Sequence, residues 1–89
     1  MYLGKVIGTV VSTSKAEALI GTKLLIVRKI DEKYNDLNNT EVAVDSVGAG
    51  PGEIVLVSKG SSAKLVFEKR NIPVDACIIG IVDSVEINE

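Results

Sequence analysis

Three glycines and a carboxylate fall within the short run Gly48, Ala49, Gly50, Pro51, Gly52 and Glu53. Glycine-rich backbone can cradle an anion, because successive N–H groups turn toward one point with no Cβ in the way. The run follows a strand-like segment, as a dinucleotide fingerprint does. The rest of that fingerprint is missing. The glycines stand at G-x-G-x-G spacing rather than G-x-G-x-x-G, and no lysine followed by Ser or Thr comes after them. Pro51 leads into EIVLV, which continues as a strand and not as a helix whose N-terminus would hold phosphate. The run therefore reads as a tight hairpin with several positive-φ positions. Glycine and alanine also let backbones approach closely around a symmetry axis.

Asp45, Asp75 and Asp83 are the carboxylates that would have to pair for acid–base work. Nothing in their spacing brings two into one cleft, and turn capping is the commoner use of Asp beside a turn. Asp83 differs, because it interrupts an apolar strand-like run. Buried there it needs a partner, and a contact between subunits answers that need better than catalysis does. Cys77 has no histidine to activate it, since the chain contains none, and it reads as a small buried hydrophobe. One Cys and no His exclude disulfides, a cysteine-built zinc site, His-based triads and a histidine pH switch. Tyr2, Tyr34 and Phe67 are the only aromatics and the net charge is −2, so base stacking and phosphate binding have little support. The basic pairs Arg28-Lys29 and Lys69-Arg70 read as solvated faces. Lys15, Lys23 and Lys64 lie near turns, within reach of a neighbour's carboxylates. No cofactor or metal is expected, and no catalytic residue.

The elements that must position these groups follow from composition. The 89 residues make a single domain spanning 1–89, with 46% apolar content. Thirteen Val, ten Ile and four Thr favour strands. No apolar run approaches the ~20 residues that cross a bilayer, and the start MYLGKVIGTVVS is not a signal peptide. A cytosolic protein with a reduced Cys77 is the expectation. Five strand-like segments occupy 2–12, 24–30, 41–47, 53–59 and 76–87, which argues for a small barrel or sandwich. Residues 61–70, SSAKLVFEKR, place Ala63, Val66 and Phe67 on one helical face, with Ser61 or Ser62 as cap. One short helix is thus expected between strands four and five, covering a barrel end. Residues 14–19 have Ser14 and Glu17 at capping-box spacing, but six residues are too few, and the stretch reads as loop.

Apolar residues fall on both faces of several strands. Leu3, Ile7 and Val11 oppose Tyr2, Val6 and Val10; Leu24 and Ile26 oppose Leu25 and Val27; Ile78 and Val82 oppose Ile79, Ile81 and Val85. A domain of this size has one interior, so the second face asks for a cover, most simply another copy of the chain. Strong barrel curvature, burying strand ends on both sides, is the alternative.

The motifs KVIGTVVSTSK, LIGTKLLIV, VAVDSVGAGPGE, GSSAK and VDACIIGIVD occur in this order over nearly the whole chain. Together they resemble the EutN/CcmL family of bacterial microcompartment vertex proteins. The combination VDSVGAG-x-GE, GSSA and IGIVD is the specific part. Lys64 stands where the family usually has Arg, which weakens any bidentate contact there. The stretch DEKYNDLNNT is individual to this chain and is expected to be an exposed loop.

The resemblance implies an all-β, five-stranded, OB-like barrel that assembles into a homopentamer. The ring would cap the vertices of a polyhedral shell of metabolosome type in the cytoplasm, beside hexameric shell proteins. Nucleic acid and membrane are not expected as partners. Asp45, Ser46, Gly48, Ala49, Gly50, Gly52 and Glu53 belong to the family's most characteristic turn; with Lys64 and Asp83 they are the candidates for subunit interface or pore. The rival readings are an OB-type binding module for nucleic acid or a small ligand, a small enzyme, and a gated ring pore. The first needs a basic groove with interleaved aromatics, and the second a nucleophile with its base.

Overall fold

A computed structural model describes residues 1–12, 16–60 and 74–89. Among them are five strands: β1 (Tyr2–Val10), β2 (Lys23–Ile30), β3 (Asp36–Asp45), β4 (Ile54–Lys59) and β5 (Ala76–Ile81). They close into a barrel in the order β1-β2-β3-β5-β4, with β4 returning to β1. Every pairing is antiparallel except β3 with β5, which run parallel and meet only at Val44–Cys77 and Asp45–Ile78. The fold is therefore the all-β barrel expected. The helix expected over 61–70, and the Ser14 cap, lie outside the described residues.

The interior is built from small and branched side chains. Val6, Leu25, Val27, Ala43, Ala49, Val55, Val57, Ala76 and Ile78 form one buried cluster. Gly4 lets the wall close on it: a Cβ there would stand 2.3 Å from Val27 Cγ1. Strand β2 alternates as read, with Leu25 and Val27 fully buried and Leu24 and Ile26 on the other face. Strands β1 and β5 do not. Ile7 is an extra residue between Val6, opposite Val27, and Gly8, opposite Ile26. Ile79 is likewise extra between Ile78, opposite Val57, and Gly80, opposite Leu56. Such bulges bend a strand and reverse its faces. Val10 thus shares a face with Leu24 and not with Val6, a correction to simple alternation.

Four further boundaries differ from the sequence reading. Strand β3 begins at Asp36, five residues before position 41, because NDLNNT pairs with β2 although it is polar and exposed. Its turn is set by Asp31, whose carboxylate accepts from the N–H groups of Lys33 (2.8 Å) and Asn35 (2.9 Å), with Tyr34 at φ 65°. The Asn35 N–H holds the Asp31 carboxyl below its usual range. Strand β5 ends at Ile81 and not at 87; Val82 N–H still donates to Ile54 O (2.8 Å), and the chain then leaves the sheet. Residues 17–19 form a 3₁₀ turn, where a loop was expected. Finally, 48–52 is no hairpin. Strands β3 and β4 are not neighbours, since β5 lies between them, so this run crosses one end of the barrel.

Candidate functional site

The crossover from β3 to β4 is fastened on three sides. Lys23, at the start of β2, donates from Nζ to Ala49 O (2.6 Å). Gly52 N–H donates to Val6 O (2.8 Å) and Val6 N–H to Glu53 O (3.0 Å), which ties the run to β1. Ser46 Oγ donates to Ile78 O (2.7 Å) on β5. Within the run, Glu53 Oε1 accepts from Gly50 N–H (2.7 Å), and Asp45 Oδ1 accepts from Val47 N–H (3.1 Å). Gly48 (φ 80°) and Gly52 (φ 88°) take the left-handed conformation that the turns require, while Gly50 does not. The Ala49 side chain, fully buried, plugs this end of the barrel from within.

Charges close the opposite end. Tyr2 donates its hydroxyl to Glu41 Oε1, and Lys59 Nζ stands 2.6 Å from Glu41 Oε2 and 3.5 Å from Asp75 Oδ2. Lys29 Nζ lies 5.3 Å from the centre of the Tyr2 ring. Burial, the bond to Glu41 and the charges of Glu41 and Asp75 push the Tyr2 phenol well above its usual range. The bond to Glu41 raises Lys59, against a smaller opposing effect of burial. A hollow of about 210 Å³ lies among Met1, Tyr2, Lys29, Asn39, Glu41 and Lys59. Its groups bond chiefly to one another, and nothing there pairs a nucleophile with a base. Among the described residues no three His, Cys, Asp or Glu side chains converge as metal ligands would. Cys77 is buried and burial pushes its thiol up, opposite to an activated nucleophile.

The outer wall carries the less expected surface. Register places Gly8, Ile26 and Val42 in one row across β1, β2 and β3, and Val10, Leu24 and Val44 in the next. These residues share the outward face, because Leu25 and Ala43 between them point inward. Val42 is 49% exposed, whereas Val44 is buried although it faces outward. Beside it runs a groove of about 180 Å³ lined by Leu19, Leu24, Val42, Val44 and Val74, with Asp75 and Ala76 at the start of β5. The second apolar face read from the sequence thus exists on β2. On β1 and β5 the bulges redistribute it. Sequence reading had missed Val42 and Val44 as its partners, although their i, i+2 spacing is the signal for one strand face.

The other site candidates scatter. Asp45 and Ser46 brace the crossover, Asp83 is exposed beyond β5, and Lys64 lies outside the described residues. Asp83 is thus not buried within a single chain; the contact read for it from the sequence is one between subunits.

Comparison with known proteins finds that residues 1–83 match the family model described as "Ethanolamine utilisation protein EutN/carboxysome". The bacterial microcompartment shell vertex protein GrpN of Rhodospirillum rubrum is 60% identical over 86 residues, 97% of each chain. The shell vertex protein PduN of Salmonella typhimurium is 50% identical over 88 residues, 94% of this chain and 97% of that one. The solved structure described as "GrpN pentameric microcompartment shell protein from Rhodospirillum rubrum" superposes with TM-score 0.90 at 58% identity, covering 99% of this chain and all of that one.

Proposed function

The chain belongs to the EutN/CcmL family, and from that premise we propose that five copies close into a ring at a vertex of a bacterial microcompartment shell. The carrying observation in the chain itself is the outward apolar face of β2 and β3, where Leu24 and Ile26 are half-buried and Val42 is exposed, which asks for a cover in water. A closed ring provides one at every subunit. The compartment is of the metabolosome type, which encloses catabolic enzymes; similarity to GrpN and PduN supports this.

The task of such a ring is geometric. Flat sheets of six-fold tiles cannot close, and a five-fold tile supplies the curvature that closes them. The chain then needs one surface for its own copies and another for hexameric shell proteins. It acts through those surfaces and not through catalysis. The fastened crossover, with Asp45, Ser46, Gly48, Gly50, Gly52 and Glu53, is the rigid edge we place at the subunit boundary or ring opening. Ala49 anchors that edge from inside the barrel, and Lys64 and Asp83 are kept as outlying candidates.

Native mass spectrometry of the purified chain tests the reading. A dominant species of five chain masses is expected at micromolar concentration, whereas a stable monomer would overturn it.

A further inference from the structure

A closed ring contact is heterologous: each subunit must offer two different, complementary surfaces. The described chain has two apolar features that are only partly covered, although Val44 and Ala76 at the floor of the first are already buried. One is the groove between β2, β3 and the start of β5. The other is the segment after β5. Residues 83–89 make no hydrogen bond or ion pair to the rest of the described chain, and Ile87 is 47% exposed. Val85, half-buried, and Ile87 stand two apart between Asp83 and Glu89, the spacing that puts both on one side when the stretch is extended. We propose that residues 82–89 of one copy lie in the groove of the next copy, with Val85 and Ile87 as the anchors. This rests on the ring reading above.

Direction works against the simpler pairing of tail and groove within one chain. The groove sits at the start of β5, beside Val74 and Ala76, whereas the tail leaves from its far end, where Val82 bonds Ile54. Six strand residues carry the chain ~20 Å from the groove. Eight extended residues span at most ~26–29 Å, most of which a reversal over the barrel end would consume. Pointing onward, the same segment reaches a neighbour. The groove, at about 180 Å³, is smaller than the ~300–1,000 Å³ of small-molecule sites and suits inserted aliphatic side chains.

The test uses the whole chain with Ile87→Asp, half-exposed and outside the five strands, and Val42→Asp on the exposed wall. Ring dissociation is followed by native mass spectrometry on dilution, and folding by circular dichroism. Both variants should remain β-folded and should dissociate at concentrations about tenfold or more above the unaltered ring. A V42C/I87C chain, oxidised, should give a ladder of covalently joined chains. If the unaltered chain forms no ring, the ring reading fails and this contact with it. If the ring forms but Ile87→Asp dissociates no more readily, or the disulfide closes within one chain, the tail contact alone is overturned.

Discussion

Gly4 sits where the barrel wall is tightest. A methyl group there would meet Val27 Cγ1 at 2.3 Å and Arg28 O at 3.2 Å, and neither atom is the free end of a flexible side chain. Gly4→Ala should cost about 1–3 kcal/mol, read as a lower urea midpoint; an unchanged midpoint would show that the wall gives. At Gly8 the nearest atom is Ile26 Cδ1 at 3.4 Å, ordinary contact, so the same change there should be tolerated. Nothing in the sequence separates these two glycines of β1, because the difference lies in what stands across the sheet. The positive φ of Gly48 and Gly52, by contrast, was legible from the glycine spacing alone. Tyr2 and Lys59 carry the pH dependence. Both hold their protons in the fold above their ordinary values of 10.0 and 10.5. Their contribution is complete below about pH 10 and disappears as pH rises through the shifted values. In a Tyr34→Phe chain, tyrosinate absorbance should lag behind that of free tyrosine above about pH 10, and Tyr2→Phe should flatten the alkaline fall in stability. Titration at the free value would remove the half-buried Tyr2–Glu41 contact from the account.

The crossover shows what one cation does for an element. Lys23 Nζ on Ala49 O is a charge-assisted bond, and Lys23→Met should lower stability by about 1–2 kcal/mol. It should also speed amide exchange at Gly50 and Gly52; unchanged exchange would mean that the bonds to β1 and Glu53 hold the run by themselves. Five strands and their approximate places were legible from β-branched runs and punctuation, because those reflect burial. Partners were not. Periodicity reports which face of a strand is wet, and it is silent on the neighbour, so β3 and β4 looked like a hairpin until β5 was seen between them. The bulges at Ile7 and Ile79 escaped for a related reason: curvature, not composition, decides where an extra residue is accommodated. Residues 36–40 are a strand exposed on almost every side, and their polar composition is that of a loop.

At the scale of the whole molecule, the family and the vertex function were legible because the motifs are specific in combination. The candidate interface was only partly so. Leu24 and Ile26 were identified, but Val42, Val44 and the groove emerge only when β3 is laid beside β2. A vertex makes a prediction that no barrel property makes. Hexameric shell proteins of the same compartment, mixed with this chain, should pass from open sheets and tubes to closed particles under electron microscopy, and Val42→Asp should abolish the passage. Closed particles formed equally well without the chain would remove its geometric role.

The parallel pairing of β3 with β5 has a consequence for when such a corner can be made. The strand that fills the gap in the wall follows the other four along the chain, and its hold on β3 is two residue pairs long. A growing polypeptide on the ribosome keeps an unsealed cylinder until that strand emerges, so no shell corner can be built before β5 is free to pair.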